Sequence, residues 1–216
     1  MSLLKIALKL APGMLVSIQI FLITLLLSLP LGLLVAFGRM SKLKFISFLC
    51  KTYISIMRGT PLMLQLMVVY FGPYYLFGIS VSGGYRFVAT LIGFVINYAA
   101  YFAEIYRSGI QSMPVGQYEA AKILGYSKSQ TFFVIIFPQV IKRILPSITN
   151  EVITLVKDTS LAFTISVAEM FTMAKSLASS TTSMYPFVCA ALFYYIFNGI
   201  VAFAMDLTEK KLEYYK

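Results

Sequence analysis

Residues 10–38, LAPGMLVSIQIFLITLLLSLPLGLLVAFG, run for 29 positions without a charge between Lys9 and Arg39. As a helix this stretch would reach about 44 Å, more than the roughly 30 Å of a bilayer's hydrocarbon core. A charge at the bilayer centre costs roughly 3 kcal/mol on insertion scales, so a long charge-free run is what a spanning helix requires. A secretory signal peptide is shorter and ends in a small-residue cleavage site, which this stretch lacks, so the N-terminus is expected to stay on. The same gap rule locates further spans. Arg58 to Arg86 encloses 27 uncharged residues, Arg86 to Glu104 encloses 17, and Lys175 to Asp206 encloses 30.

Composition agrees with this reading of the gaps. Of 216 residues, 59% are hydrophobic and 12% charged, with a mean hydropathy of +0.84. A soluble domain carries about 25% charged residues, so a soluble enzyme is excluded. The chain has no histidine. Histidine metal sites, Ser-His-Asp triads and histidine proton relays are therefore excluded too. Cys50 and Cys189 lack CxxC spacing and read as packing residues. The net charge of +10 sits between apolar runs and does not cluster on one face, which argues for membrane topology and against nucleic acid.

Basic residues orient the spans. Arg39, Lys42, Lys44, Lys51 and Arg58 follow the first gap, whereas Arg86 stands alone in the next connection. Positive residues mark the cytoplasmic side. Arg107, Lys122 and Lys128 then lie inside. A tail with Lys210, Lys211 and Lys216 on that same side requires the charge-interrupted residues 141–163 to cross as well. The expected fold is all-α with five transmembrane helices near 12–38, 61–80, 87–106, 141–163 and 185–207. The N-terminus is outside, the C-terminus cytoplasmic, and residues 1–216 form one domain. Thr60-Pro61 reads as an N-cap with proline at the first helical position. Pro30 should kink the first span. Residues 42–57 alternate apolar and basic groups in a way that suits the inner leaflet.

The connection after span 3 is long and polar. Glu119-Ala120-Ala121-Lys122-Ile123-Leu124-Gly125 reads as a short helix near 117–125, closed by glycine as a C-cap. Nine residues later comes Ile135-Ile136-Phe137-Pro138. This spacing resembles the EAA loop of binding-protein-dependent ABC importer permeases, with Phe137 where the family usually has leucine. Arg58-Gly59-Thr60-Pro61, residues 97–107 (NYAAYFAEIYR), Pro138-Gln139, Leu145-Pro146 and Lys157-Asp158-Thr159-Ser160-Leu161 look like the polar amino acid permeases of that superfamily.

The resemblance implies a transport subunit in the bacterial inner membrane that is not itself an enzyme. It implies an ABC ATPase partner docking on Glu119, Ala120, Ala121 and Gly125. It also implies a second permease subunit, with a homodimer favoured by twofold symmetry, an extracytoplasmic binding protein and an amino acid cargo. The chain contains no GxxxxGK[ST] loop. ATP and Mg are therefore expected on the partner, with no cofactor, metal or nucleic acid on this chain.

Ionisable groups inside spans are functional candidates. At 100° per residue Ser147, Glu151, Thr154 and Asp158 form one polar stripe on span 4, while Asn97, Tyr101 and Glu104 share a face of span 3 beside Tyr98. Glu104 is explained by a helix pair with Arg107. Glu151 has no basic residue three or four positions away. The expected cargo site is Glu151, Asn97, Tyr98, Thr154, Asp158 and Gln65. A carboxylate at Glu151 favours basic cargo: arginine, lysine or histidine. A neutral amide such as glutamine is the rival, and a stand-alone secondary transporter or channel is the alternative of another class.

Overall fold

The computed structural model describes residues 3–80 and 82–212; Lys216, one of the tail cations invoked for topology, lies outside the described residues. All regular structure among them is helical. In chain order come α1 (Leu3–Arg39), α2 (Lys44–Gly59), α3 (Leu62–Phe77), α4 (Tyr85–Gln111), α5 (Val115–Ile123), α6 (Lys128–Gln130), α7 (Phe137–Asp158), α8 (Met170–Thr181) and α9 (Tyr185–Leu212). A π-helical stretch, Thr131–Ile136, leads into α7, and a 3-10 stretch, Thr159–Ile165, follows it.

Four runs are long and apolar enough to cross a membrane: Leu3–Arg39, Tyr85–Gln111, Lys128–Ile165 and Tyr185–Leu212. These carry the first, third, fourth and fifth expected spans. The second differs. α3 has 16 residues, so it reaches only about 24 Å, and Gly78 at φ +66° ends it before residue 80. It qualifies as a span only together with α2, from which it is bent by 110°. The bend follows from Pro61, whose ring pushes the preceding residue out of the helical region. Thr60 is extended at φ −123°, ψ 147°. The expected cap is therefore displaced by one residue: α3 starts at Leu62, and the Thr60 hydroxyl donates back to the Ile56 carbonyl at 2.8 Å instead of capping α3. α2 itself is amphipathic, with only Ile54 buried, as an interfacial helix should be.

α4 is the centre of the packing. Ala99, Ala100 and Ala103 are fully buried along it. Small residues let membrane helices approach closely, which matters where the hydrophobic effect between helices is weak. α1 uses the same device: a Cβ on Gly32 would stand 2.8 Å from the Phe102 Cβ and 3.0 Å from the Ala99 carbonyl oxygen. A second apolar cluster joins Ile6, Leu10 and Met14 of α1 to Met170 and Ala174 of α8 and Cys189 of α9.

α8 was not among the expected elements. Its N-terminus is closed by Glu169, whose carboxylate accepts from the backbone N–H of Phe171 and of Thr172, both at 2.7 Å, and from the Thr172 hydroxyl at 2.8 Å. Tyr194 of α9 donates a further bond to it at 3.0 Å. Glu169 is fully buried. Four donors offset the cost of removing that carboxylate from water.

Candidate functional site

Ser147 and Glu151 of the α7 polar stripe meet the end of α2 and the C-terminal half of α4 at a cavity of about 320 Å³. Arg58, Tyr101, Glu104, Arg143, Ser147 and Glu151 line it. Its charges are not equivalent. Glu104 is held by Arg107, whose Nε lies 3.0 Å from Oε1, so the ordinary helix pair read from the sequence is present. The Arg143 Nη1 donates to the Ser112 carbonyl at 3.0 Å. Glu151 takes part in no hydrogen bond or ion pair among the described residues. Arg58 likewise has no such polar partner; its guanidinium lies over the Tyr101 ring, 5.4 Å from the centroid.

The remaining expected site residues separate into two groups. Asp158 accepts from the Tyr98 hydroxyl at 2.7 Å, a pair further along the stripe in which Tyr98 is only 2% exposed. Thr154 is directed backwards, donating to the Asn150 carbonyl at 2.9 Å. Asn97 and Gln65 are engaged elsewhere. The Asn97 Nδ2 donates to the Gln65 Oε1 at 2.9 Å and to the Met57 carbonyl at 3.0 Å. Gln65 in turn donates to the Thr60 carbonyl at 3.1 Å and the Thr60 hydroxyl at 2.7 Å. Both amides thus brace the α2–α3 bend, because the extended residues there leave carbonyls that no helix satisfies.

Arg58 entered the sequence reading as part of the motif Arg58-Gly59-Thr60-Pro61 and as one of the cations that orient the spans, not as a site residue. A cation in the last turn of a helix is favoured by the dipole, so the local pattern had a sufficient explanation. Its place opposite Glu151 arises from packing α2 on α4.

The short helix between α4 and α7 is α5, Val115–Ile123, slightly earlier than 117–125. It ends in a Schellman motif: Gly125 N–H donates to the Lys122 carbonyl at 3.1 Å and Tyr126 N–H to the Ala121 carbonyl at 3.0 Å. Gly125 sits at φ +81°. Glu119 and Ala120 are exposed, but Ala121 is 1% exposed and packs inward, so it does not belong to an outer docking face. Ile123 at 86% and Leu124 at 74% exposure present the apolar surface instead.

Comparison with known proteins decides the family. Residues 28–214 match the model of the binding-protein-dependent transport system inner membrane component. The chain belongs to this family. A Rickettsia bellii protein named for glutamine transport, GlnP, is 35% identical over 201 residues, covering 93% of this chain and 91% of that one. The arginine transport system permease protein ArtQ of Bacillus subtilis is 33% identical over 202 residues, with 93% and 91% covered. A chain in the crystal structure of an amino acid ABC transporter with histidines superposes with a TM-score of 0.86 at 31% identity, covering 96% of each chain. The protein is thus an amino-acid ABC permease subunit, a multi-pass protein of the bacterial plasma membrane. Such subunits are not enzymes, and the family works in general with an ATPase, a second permease and a binding protein.

Proposed function

We propose that this permease imports polar, preferentially basic, L-amino acids (arginine, lysine and histidine) by alternating access, with Glu151 receiving the cationic side chain. The observation that carries the reading is a carboxylate without hydrogen-bond or ion-pair partner among the described residues, in a cavity large enough for an amino acid's polar atoms. A carboxylate with no hydrogen-bond donor of its own has acceptor capacity to spare, and a guanidinium or ammonium supplies charge-assisted hydrogen bonds to it. Asp158, one stripe position beyond Thr154 and about 10.5 Å from Glu151 along the axis, extends acidic character toward the opposite end of α7.

In this reading the N-terminus faces outward, the C-terminus and α5 face the cytoplasm, and Glu119, Ala120 and the Gly125 turn transmit the motion of a partner ATPase that holds ATP and Mg. This chain itself carries no cofactor. The exposed polar flank of α7, including Ser147, Asn150 and Lys157, supports a second copy across the pathway, since such side chains do not face lipid.

The rival cargo is a neutral amide of the glutamine type, favoured by Arg58, a counter-charge for Glu151 in the same cavity. Uptake by proteoliposomes containing the permease, its ATPase and its binding protein separates them. Excess arginine and lysine should inhibit labelled arginine uptake, and Glu151→Gln should lose basic cargo. Inhibition by glutamine but not by arginine or lysine overturns the assignment.

A further inference from the structure

We infer that Arg58 receives the α-carboxylate of the cargo and so makes the permease select amino acids over amines. The inference rests on the cavity being the cargo site, but not on the charge of the cargo's side chain. Among the cationic residues lining that cavity, the Arg143 guanidinium is tied to the Ser112 carbonyl. The facing acid, Glu104, is neutralised by Arg107. That leaves Arg58 and Glu151 as the two lining charges without a hydrogen bond or ion pair among the described residues. They have opposite sign, and every α-amino acid carries a carboxylate that a guanidinium can receive, whichever cationic group Glu151 meets.

The Arg58 side chain is positioned for such a task. It leaves the last turn of α2 immediately before the bend that Asn97 and Gln65 brace, so its backbone is anchored. Its guanidinium lies over the Tyr101 ring, 5.4 Å from the centroid, a cation–π contact that engages none of its N–H groups in a hydrogen bond. A planar fork of donors matches a carboxylate in bidentate fashion, which a point charge does not. A cation lacking the carboxylate meets Arg58 as a like charge. The residue is therefore specificity-determining whether the side chain that follows is cationic or neutral.

The test is competition binding on the purified permease–ATPase complex without its binding protein, so that the binding protein's selectivity does not enter. Labelled arginine is displaced by arginine, by agmatine, which is arginine without its carboxylate, and by citrulline, its neutral isostere. Labelled glutamine is displaced by 4-aminobutanamide, which is glutamine without its carboxylate. The wild-type complex should favour the carboxylate-bearing member of each pair by about 10- to 100-fold, the range of one charge-assisted contact. Arg58→Gln should erase that preference, weakening the amino acid and sparing the amine; Arg58→Lys should restore part of it.

Equal binding of arginine and agmatine by wild type overturns the inference without any variant. Equal weakening of both ligands in Arg58→Gln overturns it as well, since that is the signature of a merely structural residue. Glu151→Gln separates the two readings. If that variant keeps the wild-type preference for arginine over citrulline while Arg58→Gln loses carboxylate selection, the basic-cargo reading fails and this one stands. If wild type binds neither labelled ligand, both fail.

Discussion

Glu151 and Glu169 are two carboxylates within the helical bundle, and their donors differ completely. Glu169 is fully buried and accepts from two backbone N–H groups, the Thr172 hydroxyl and the Tyr194 hydroxyl. Glu151 opens on a cavity and accepts from nothing among the described residues. A carboxylate supplied with four donors is part of the scaffold, because its charge is already answered. One placed with no donor has its capacity in reserve for something that arrives. Burial alone does not distinguish a scaffold acid from a candidate cargo contact; the count of donors separates these two.

The largest effect that could break this contrast is expected at Glu169. Glu169→Ala leaves the first N–H groups of α8 without acceptors in an apolar setting and should lower stability in detergent by about 3 kcal/mol. Thermal unfolding of the purified complex measures it, and a midpoint equal to wild type would make Glu169 dispensable to the scaffold. Glu151→Gln should leave that midpoint unchanged while basic amino acid uptake falls by about 10- to 100-fold, the loss of one charge-assisted contact. A parallel drop in stability would place Glu151 in the scaffold beside Glu169.

Smaller effects probe the coupling helix and the second acid of the stripe. Gly125→Val forces a β-branched residue to φ +81°, costing about 1–2 kcal/mol locally. The α5 turn should loosen, with cargo binding retained and ATP-driven uptake reduced; wild-type uptake would remove this turn from the coupling path. The smallest change is expected from Tyr98→Phe, which deletes the 2.7 Å bond to Asp158. Interhelical hydrogen bonds in membranes average about 0.6 kcal/mol, so the melting shift should be slight. A shift as large as that of Glu169→Ala would class Asp158 with the scaffold acid.

The sorting of these residues was only partly legible beforehand. The stripe of Ser147, Glu151, Thr154 and Asp158 follows from helical periodicity, and the helix closed by Gly125 follows from spacing, since both depend on neighbours along the chain. Asn97 and Gln65 show where such reasoning stops. As polar side chains in apolar helices they read as cargo contacts, and the sequence gives no sign of the hydrogen bonds that both make at the α2–α3 bend, since those acceptors lie on another helix or in the bend itself. Ala121 was expected on the docking face and is buried, because the orientation of α5 depends on what it packs against. α8 escaped notice because it has only 12 residues and its cap is a glutamate, which is not among the preferred capping residues.

What the amino-acid order alone determined is four long apolar runs, the short helix between the third and fourth expected spans, and the family, while the second expected span turned out to be half of a bent pair. Transfer from water to hydrocarbon is summed residue by residue along a segment, so it can be read from composition in a window. Tertiary structure alone decided that Arg58 shares a cavity with Glu151, that no donor reaches Glu151 among the described residues, and that Glu169 is saturated, whereas the Glu104–Arg107 pair was already legible in its i,i+3 spacing. A charge in a membrane protein acquires its role from the donors and acceptors that other helices bring to it, and those distances are set by how small residues such as Gly32, Ala99 and Ala103 let the helices close together.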